Sequence, residues 1–173
     1  MLQVTTNNLA EILPHTADGS GDCVALTLGA RQLTYAELED MSRRMAALLE
    51  TMGVAPSDRV GIMLPNVPEF AIAYYGVLRR GGVVVPMNVL LKEGEIAFYL
   101  RDSGARALLA WHDFDAQARR GAADAGARCL VIEPTALAGT LAAMTAAPDI
   151  ATCEATDTAV IQYTSGTLSL IHI

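Results

Sequence analysis

The sequence predicts an α/β fold in which helices cover a mainly parallel sheet. Five short runs of Val, Ile, Leu and Ala without polar alternation are separated by segments with helical periodicity. Continuous apolar runs of this length are typical of strands buried on both faces, as in parallel sheets with crossover helices. With 173 residues and 52% hydrophobic content, the chain has the size and composition of one domain or part of a larger one. The predicted strands cover residues 60–64, 83–86, 107–111, 129–132 and 159–163.

A lead-in and one strong helix precede the first strand of the predicted sheet. Residues 1–30 are expected to be an irregular lead-in that holds a short strand at Val24–Leu28. Thr34 and Glu37 have the spacing of a capping box, in which each side chain binds the other residue's backbone N–H, and Gly53 is placed to end the helix. An apolar stripe at spacings of three and four predicts packing against the core. Its members are Leu38, Met41, Met45, Leu48 and Met52.

Further helices are predicted between the strands. The one over residues 69–80 is apolar nearly all round, so we expect it to lie between two layers of the fold. Shorter helices are predicted at 93–101 and 114–125, each followed by a glycine that ends it. Residues 134–157, which are rich in Ala and Thr, are predicted to form a loop with one helical turn or more within 137–144.

Several polar residues are expected to have structural roles. Glu39 and Asp40 are predicted to lie on the solvent-exposed face of the helix that begins at the Thr34 capping box. Trp111, His112 and Asp113 come at the end of a strand, where a packed indole followed by a turn is the simpler explanation. We therefore assign no catalytic residue and no metal ligand in this chain.

Charge and composition narrow the possible partners and location. The net charge of −7 and the scattered basic residues do not provide the basic face of a nucleic-acid binder. The most apolar stretch, residues 70–86, is interrupted by arginines and glycines, so no transmembrane segment is predicted. Cys23, Cys129 and Cys153 are odd in number and far apart, which favours reduced, packed thiols over disulfides or a zinc site. A cytoplasmic location is expected, and the sequence does not indicate an oligomeric state.

The last predicted strand leads into a loop rich in hydroxyl groups. Residues 159–163 are followed by Thr164, Ser165, Gly166 and Thr167. A glycine allows successive backbone N–H groups to point inward, and the hydroxyls add donors, so this composition suits oxyanions. Open α/β sheets also bind ligands at the carboxyl ends of their strands. Alone, the tetrapeptide is a weak signal, and it matches neither a Walker loop nor a dinucleotide-binding fingerprint.

The segment Tyr163-Thr164-Ser165-Gly166-Thr167 resembles the phosphate-binding signature of the AMP-binding, or adenylate-forming, superfamily. That superfamily includes acyl-CoA synthetases, luciferases and peptide-synthetase adenylation domains. The similarity continues upstream, in the right order and spacing, so that it covers roughly residues 30–167. Residues 88–93 and 99–105 are similar to bacterial long-chain fatty acid–CoA ligases in particular. The other matching segments are 33–38 (Leu-Thr-Tyr-Ala-Glu-Leu), 58–62 (Asp-Arg-Val-Gly-Ile) and 81–88 (Gly-Gly-Val-Val-Val-Pro-Met-Asn).

The resemblance implies that the chain is the N-terminal part of the large domain of a long-chain fatty acid–CoA ligase. Such an enzyme converts a fatty acid, ATP and CoA into acyl-CoA, AMP and diphosphate through an acyl-adenylate. The small molecules implied for the full-length enzyme are therefore the fatty acid, ATP with Mg2+, and CoA. The residues implied to hold the ATP phosphates are Thr164, Ser165, Gly166 and Thr167.

Beyond Thr167 the sequence departs from the family pattern. The family continues with a second threonine, a glycine and Pro-Lys-Gly, whereas residues 168–173 read Leu-Ser-Leu-Ile-His-Ile. We therefore predict a lead-in at 1–30, a partial AMP-binding domain at 31–167 and a tail outside the family at 168–173. Because the remaining contacts to nucleotide, acyl group and CoA lie downstream in the family, the sequence is expected to be truncated and the 173-residue chain inactive.

Three alternatives stay open at the level of sequence. The parent could be another carboxylate-adenylating enzyme, such as an aromatic or short-chain acyl ligase, because the acyl pocket lies outside this segment. The chain could instead be a non-catalytic α/β module that binds a nucleotide or a partner chain. It could also have no function, because a truncated sheet leaves unpaired strand edges and exposed apolar faces, which promote aggregation.

Overall fold

A four-stranded parallel sheet organises the molecule. The computed structural model describes residues 7–144 and 149–164. In chain order the elements are α1 (Ile12–Ser20), β1 (Val24–Leu28), β2 (Arg31–Thr34), α2 (Tyr35–Thr51), β3 (Arg59–Met63), α3 (Pro68–Arg79), β4 (Val83–Pro86), α4 (Glu93–Ser103), β5 (Ala105–Trp111), α5 (Asp115–Ala125), β6 (Arg128–Ile132) and α6 (Pro134–Ala142). The sheet has the order β4-β3-β5-β6, and every neighbouring pair in it is parallel. The predicted α/β class is confirmed.

Helices cover both faces of this sheet, and each face has its own apolar core. On one face α1, α2, α3 and α6 pack around Val60, Ile62 and Leu109. On the other, α4 and α5 pack around Met63 and Leu108. Neighbouring strand residues thus enter opposite cores, which is why the strands read as continuous apolar runs.

Helix α3 lies between the sheet and α2, as its apolar circumference predicts. Ile72 and Val77 in α3 are fully buried. The two helices are in close contact at Gly76, where an added Cβ would lie 2.5 Å from Cγ of Met45 and 2.8 Å from its Cβ. A hydrogen in place of a side chain therefore sets the distance between α2 and α3.

The start and end of α2 follow the sequence prediction. The Glu37 N–H donates to the Thr34 hydroxyl at 3.2 Å, and the Thr34 N–H donates to the Glu37 carboxylate at 2.8 Å. Both halves of the capping box are thus present. Gly53 follows the helix with φ of +76°, a conformation that glycine adopts without steric strain. Within the apolar stripe, Met45 is fully buried.

The prediction that Glu39 faces water is wrong. Its side chain is only 15% exposed and forms an ion pair with Arg79 of α3, which is 6% exposed. A guanidinium buried to this extent requires a charge partner, and Glu39 is on the face of α2 that α3 covers. Asp40, by contrast, is 57% exposed and pairs with Arg44 one turn along the helix at 2.7 Å.

The lead-in is more ordered than predicted. It contains α1, which packs Leu13 into the core with 2% exposure, and β1 is paired with an antiparallel β2 that the sequence analysis did not identify. Pro14 lies in the first turn of α1, where a missing N–H breaks no helical hydrogen bond. Gly29, with φ of +59°, provides the left-handed residue between the two strands.

The last predicted strand is wrong in part. Residues 159–161 lie beside β4, but within the described ranges they form a single parallel bridge rather than a strand. Ala159, Val160 and Ile161 are half-buried and Gln162 is exposed. The physical reason is that β4 is the one strand beside them in the part of the chain that the structure describes, so their other edge is uncovered.

Two smaller expectations have mixed outcomes. The predicted loop at 134–157 contains a nine-residue helix, α6, which agrees with the prediction of one helical turn or more. Residues 145–148 of the predicted loop lie outside the described ranges. Of the three cysteines, Cys23 is exposed rather than packed, whereas Cys129 and Cys153 are half-buried. Burial raises the pKa of both half-buried thiols.

Candidate functional site

The hydroxyl-rich segment begins beside the edge strand β4. Val160 pairs with Val84 in a parallel bridge. The Val84 N–H donates to the Ala159 carbonyl and the Ile161 N–H donates to the Val84 carbonyl, both at 2.9 Å. Because the chain runs parallel to β4, it continues toward the carboxyl ends of the strands, where open α/β sheets bind ligands. Thr164 therefore lies in the direction that the sequence predicts.

Tyr163 connects this segment to α4. Its ring packs against that of Tyr99, with centroids 4.4 Å apart. Its hydroxyl donates to a carboxylate oxygen of Asp102 at 2.5 Å. Burial, and next the hydrogen bond to Asp102, raise the pKa of Tyr163 to about 12, so the phenol carries its proton at neutral pH.

The contacts of Tyr99 and Asp102 with Tyr163 were missed by the sequence analysis. Both residues lie within 99–105, a segment that resembles bacterial long-chain fatty acid–CoA ligases, but no sequence pattern there indicates a contact with Tyr163. The hydrogen bond joins residues 61 positions apart, and a tyrosine and an aspartate on a helix are ordinarily explained as surface positions. Only the packing of α4 against the sheet brings them together with Tyr163.

Of the four predicted phosphate-binding residues, Thr164 lies within the described residues. It is exposed, so its hydroxyl is available to donate to an anion. Ser165, Gly166 and Thr167 lie outside the described residues. A role for all four in binding phosphate stays a prediction.

The polar group at the end of β5 is held in a local turn. The Trp111 indole N–H donates to Asp113 at 3.3 Å, and the same carboxylate lies 3.2 Å from Nδ1 of His112. Nearby, Glu133 accepts the Ala136 N–H at 2.7 Å at the start of α6, and backbone hydrogen bonds lower the pKa of Glu133. These contacts belong to turns and caps.

A polar cavity of about 410 Å³ opens at the opposite end of the strands. Its lining includes Ser57, Arg59, Gly82, Cys153 and Asp157, so it lies by the amino ends of β3 and β4. Ligands of parallel sheets bind at the carboxyl ends of the strands. We therefore assign this cavity no part in the candidate site.

Neither metal ligands nor a membrane helix can be assigned from residues 7–144 and 149–164. Within these ranges no three His, Cys, Asp or Glu side chains are grouped so that they could hold a metal ion. Among the same residues, no helix combines the length and apolar character that crossing a bilayer requires.

Comparison with known proteins identifies the family and the extent of the match. The AMP-binding enzyme family matches residues 13–169, a range that begins within α1. The long-chain-fatty-acid–CoA ligase of Bacillus subtilis (strain 168) is 37% identical over 102 residues, which is 59% of this chain and 18% of that protein. The chain therefore spans about a fifth of the length of this curated relative.

Solved structures agree with the observed fold. A fatty acyl CoA synthetase of Mycobacterium tuberculosis superposes with a TM-score of 0.80 and 29% identity, covering 92% of this chain and 33% of that one. A benzoate CoA ligase from Burkholderia xenovorans LB400 gives a TM-score of 0.81 and 28% identity, covering 88% of this chain and 32% of that one. The described fold is thus similar to about a third of each of these ligases.

Proposed function

This chain belongs to the AMP-binding enzyme family, and from that premise we propose that the longer protein containing it is an ATP-dependent acyl-CoA ligase. In the proposed reaction a carboxylate oxygen attacks the α-phosphorus of ATP, which forms an acyl-adenylate and releases diphosphate. The CoA thiolate then attacks the acyl carbonyl carbon, so that AMP leaves and a thioester remains. Mg2+ would neutralise charge on the diphosphate leaving group.

The observation that carries this proposal is the course of residues 159–164. A half-buried extended segment runs parallel to β4 and delivers an exposed threonine toward the carboxyl ends of the strands. We propose that Thr164, Ser165, Gly166 and Thr167 bind the ATP phosphates with their hydroxyl and backbone N–H groups. Such donors stabilise the negative charge of the ATP phosphates, which increases on the diphosphate as it leaves.

For the substrate we propose a long-chain fatty acid. The support is the 37% identity to a long-chain-fatty-acid–CoA ligase. An aromatic acid is the second candidate, and the similarity to a benzoate CoA ligase supports it. We also propose a cytoplasmic location, since ATP and CoA are supplied there.

The complete open reading frame that contains these residues provides the test. The purified protein is incubated with ATP, Mg2+, CoA and, in parallel, fatty acids of increasing length and benzoate, and AMP and thioester are quantified. We expect both products with long-chain acids. Equal or better turnover of benzoate would replace the proposed substrate, and failure to form AMP with every carboxylate would contradict the ligase.

The phosphate-binding role is tested in the same protein by Thr164→Val. Loss of a hydrogen bond to a charged group is expected to raise the KM for ATP by roughly tenfold or more. Thr158→Val is the matched control, since Thr158 is also an exposed threonine but lies near the amino end of β4. An unchanged KM for ATP in Thr164→Val would refute the role.

We further propose that the 173-residue chain by itself lacks useful ATP affinity. Its sequence holds no Lys after Thr167, and phosphate binding at a loop of this kind depends on several donors together. Titration calorimetry with Mg-ATP is expected to show no measurable heat of binding at micromolar protein. Micromolar affinity would contradict this expectation.

A further inference from the structure

Residues 162–164 are held by side chains and not by the sheet. Among the residues that the structure describes, Ile161 makes the last backbone hydrogen bond to β4. Within the described residues after it, the Gln162 side chain bonds only the neighbouring Tyr163 carbonyl, at 3.2 Å. The position of Thr164, one peptide unit past Tyr163, therefore depends on how Tyr163 is fixed.

Tyr99 and Asp102 of α4 both contact Tyr163. The Tyr99 ring packs at a centroid distance of 4.4 Å, and Asp102 accepts the phenolic proton at 2.5 Å. In the described part of the chain, Tyr163 is the hydrogen-bond partner of the Asp102 side chain. A short bond from a hydroxyl to a carboxylate is strong and directional, so it restricts both the rotation and the position of the ring.

We propose that Asp102 and Tyr163 are positioning residues for Thr164 of the proposed phosphate-binding loop, with their hydrogen bond fixing the place from which Thr164 donates. This inference rests on the proposed function of that loop and adds residues to it. The geometry favours positioning over global stability because Asp102 is exposed, so removal of its carboxylate leaves no cavity in the core. Tyr163 keeps its proton at neutral pH, since its pKa is about 12, so the donor is always present.

Kinetics of the full-length protein test the proposal with two single variants and their combination. Asp102→Ala removes the acceptor, and Tyr163→Phe removes the donor while keeping the ring beside Tyr99. Each is expected to raise the KM for ATP about tenfold, the change that corresponds to one hydrogen bond to a charged group, with the KM for the carboxylate unchanged. The double variant is expected to lose no more than either single variant, because both remove the same bond.

Two further variants separate positioning from a merely structural effect. Asp102→Asn keeps a weaker acceptor and is expected to restore part of the ATP affinity. Asp124→Ala is the matched control, because Asp124 is an exposed aspartate on the adjacent helix that pairs with Arg101 at 2.6 Å. Additive losses in the double variant, or an equal rise in KM for Asp124→Ala, would overturn the proposal.

Hydrogen exchange distinguishes failure of this inference from failure of the proposed function. In the 173-residue chain, Asp102→Ala is expected to speed exchange of the Ile161 amide, which donates to the Val84 carbonyl, while the urea midpoint falls by roughly 0.5 M or less. If the full-length protein formed no AMP, the ligase would be rejected, and exchange in the 173-residue chain would still test the contact. Unchanged exchange of the Ile161 amide would refute the positioning role whatever the activity.

Discussion

The contact between α2 and α3 gives the sharpest test of the packing described above, through Gly76→Ala. The added methyl carbon would lie 2.5 Å from Cγ and 2.8 Å from Cβ of Met45, and 3.4 Å from the backbone nitrogen of Ala46. The near atoms belong to the base of the Met45 side chain and not to its flexible end. Rotation of the methionine therefore cannot relieve the clash, and the two helices must separate.

The size of the effect follows from the required displacement. Carbon atoms make favourable contact at about 3.5–4.0 Å, so the helices must move apart by roughly 1 Å. Overpacking of this kind destabilises by about 1–3 kcal/mol, whereas alanine in place of glycine favours the helix by about 1 kcal/mol. Because Met45, Ala46 and Leu49 are fully buried along this contact, we expect the packing loss to dominate, with a net destabilisation of about 1–2 kcal/mol.

Urea unfolding of the 173-residue chain measures this difference. With a slope of about 2 kcal/mol/M, the midpoint of Gly76→Ala should fall by about 0.5–1 M. Gly139→Ala is the matched control, since Gly139 lies inside α6 with no heavy atom within 4 Å of a built Cβ, and it should stabilise by about 0.5–1 kcal/mol. A midpoint for Gly76→Ala at or above that of the unmodified chain would refute the packing argument.

Three further predictions concern caps, charges and pH. Thr34→Ala removes one half of the capping box and should lower the free energy of unfolding by about 1 kcal/mol in urea titrations; no loss would mean that the cap is not formed. Glu39→Ala leaves the 6%-exposed Arg79 without its charge partner and should cost about 3 kcal/mol, whereas the exposed Asp40→Ala should cost about 0.5 kcal/mol or less; similar losses would contradict the difference in burial. The pKa of Tyr163 is raised from 10.0 to about 12, mainly because burial disfavours the phenolate, so the folded state keeps a proton that the unfolded chain loses and stability should fall as pH rises from 10 through 12. Comparing pH-dependent unfolding with that of Tyr163→Phe isolates this fall, and identical profiles would exclude it.

The elements that the sequence predicts well are those whose signal is local. The strands of the sheet are continuous apolar runs, and α2 carries its own cap at Thr34. By contrast, α1 contains Pro14 and Gly19, which are poor helix formers, and its order depends on burial of Leu13 against the rest of the chain. Strand β2 begins with Arg31 and Gln32, so an apolar pattern cannot identify it.

The candidate site, like the fold, was predictable only where its signal is local in the sequence. The composition of the loop at 164–167 is visible in the sequence, and so is its place after an apolar run. The ion pair of Glu39 with Arg79 and the hydrogen bond of Asp102 with Tyr163 were not predictable, because each joins residues 40 or more positions apart. A polar residue on a helix is expected to face water until a neighbouring layer is placed against it.

The packing of α4 against the sheet and against α5 connects the core to the candidate site. Helix α4 meets the sheet at Gly61, where a built Cβ would be 3.1 Å from Cδ2 of Leu100, and meets α5 at Gly121, where it would be 2.7 Å from Cβ of Ile96. Both glycines therefore permit close approach of α4 from two sides. Since Tyr99 and Asp102 belong to the same helix, the distances that let them reach Tyr163 depend on these close contacts in the core. The proposed positioning of Thr164 is therefore a property of the packing around α4, and not of the local sequence by itself.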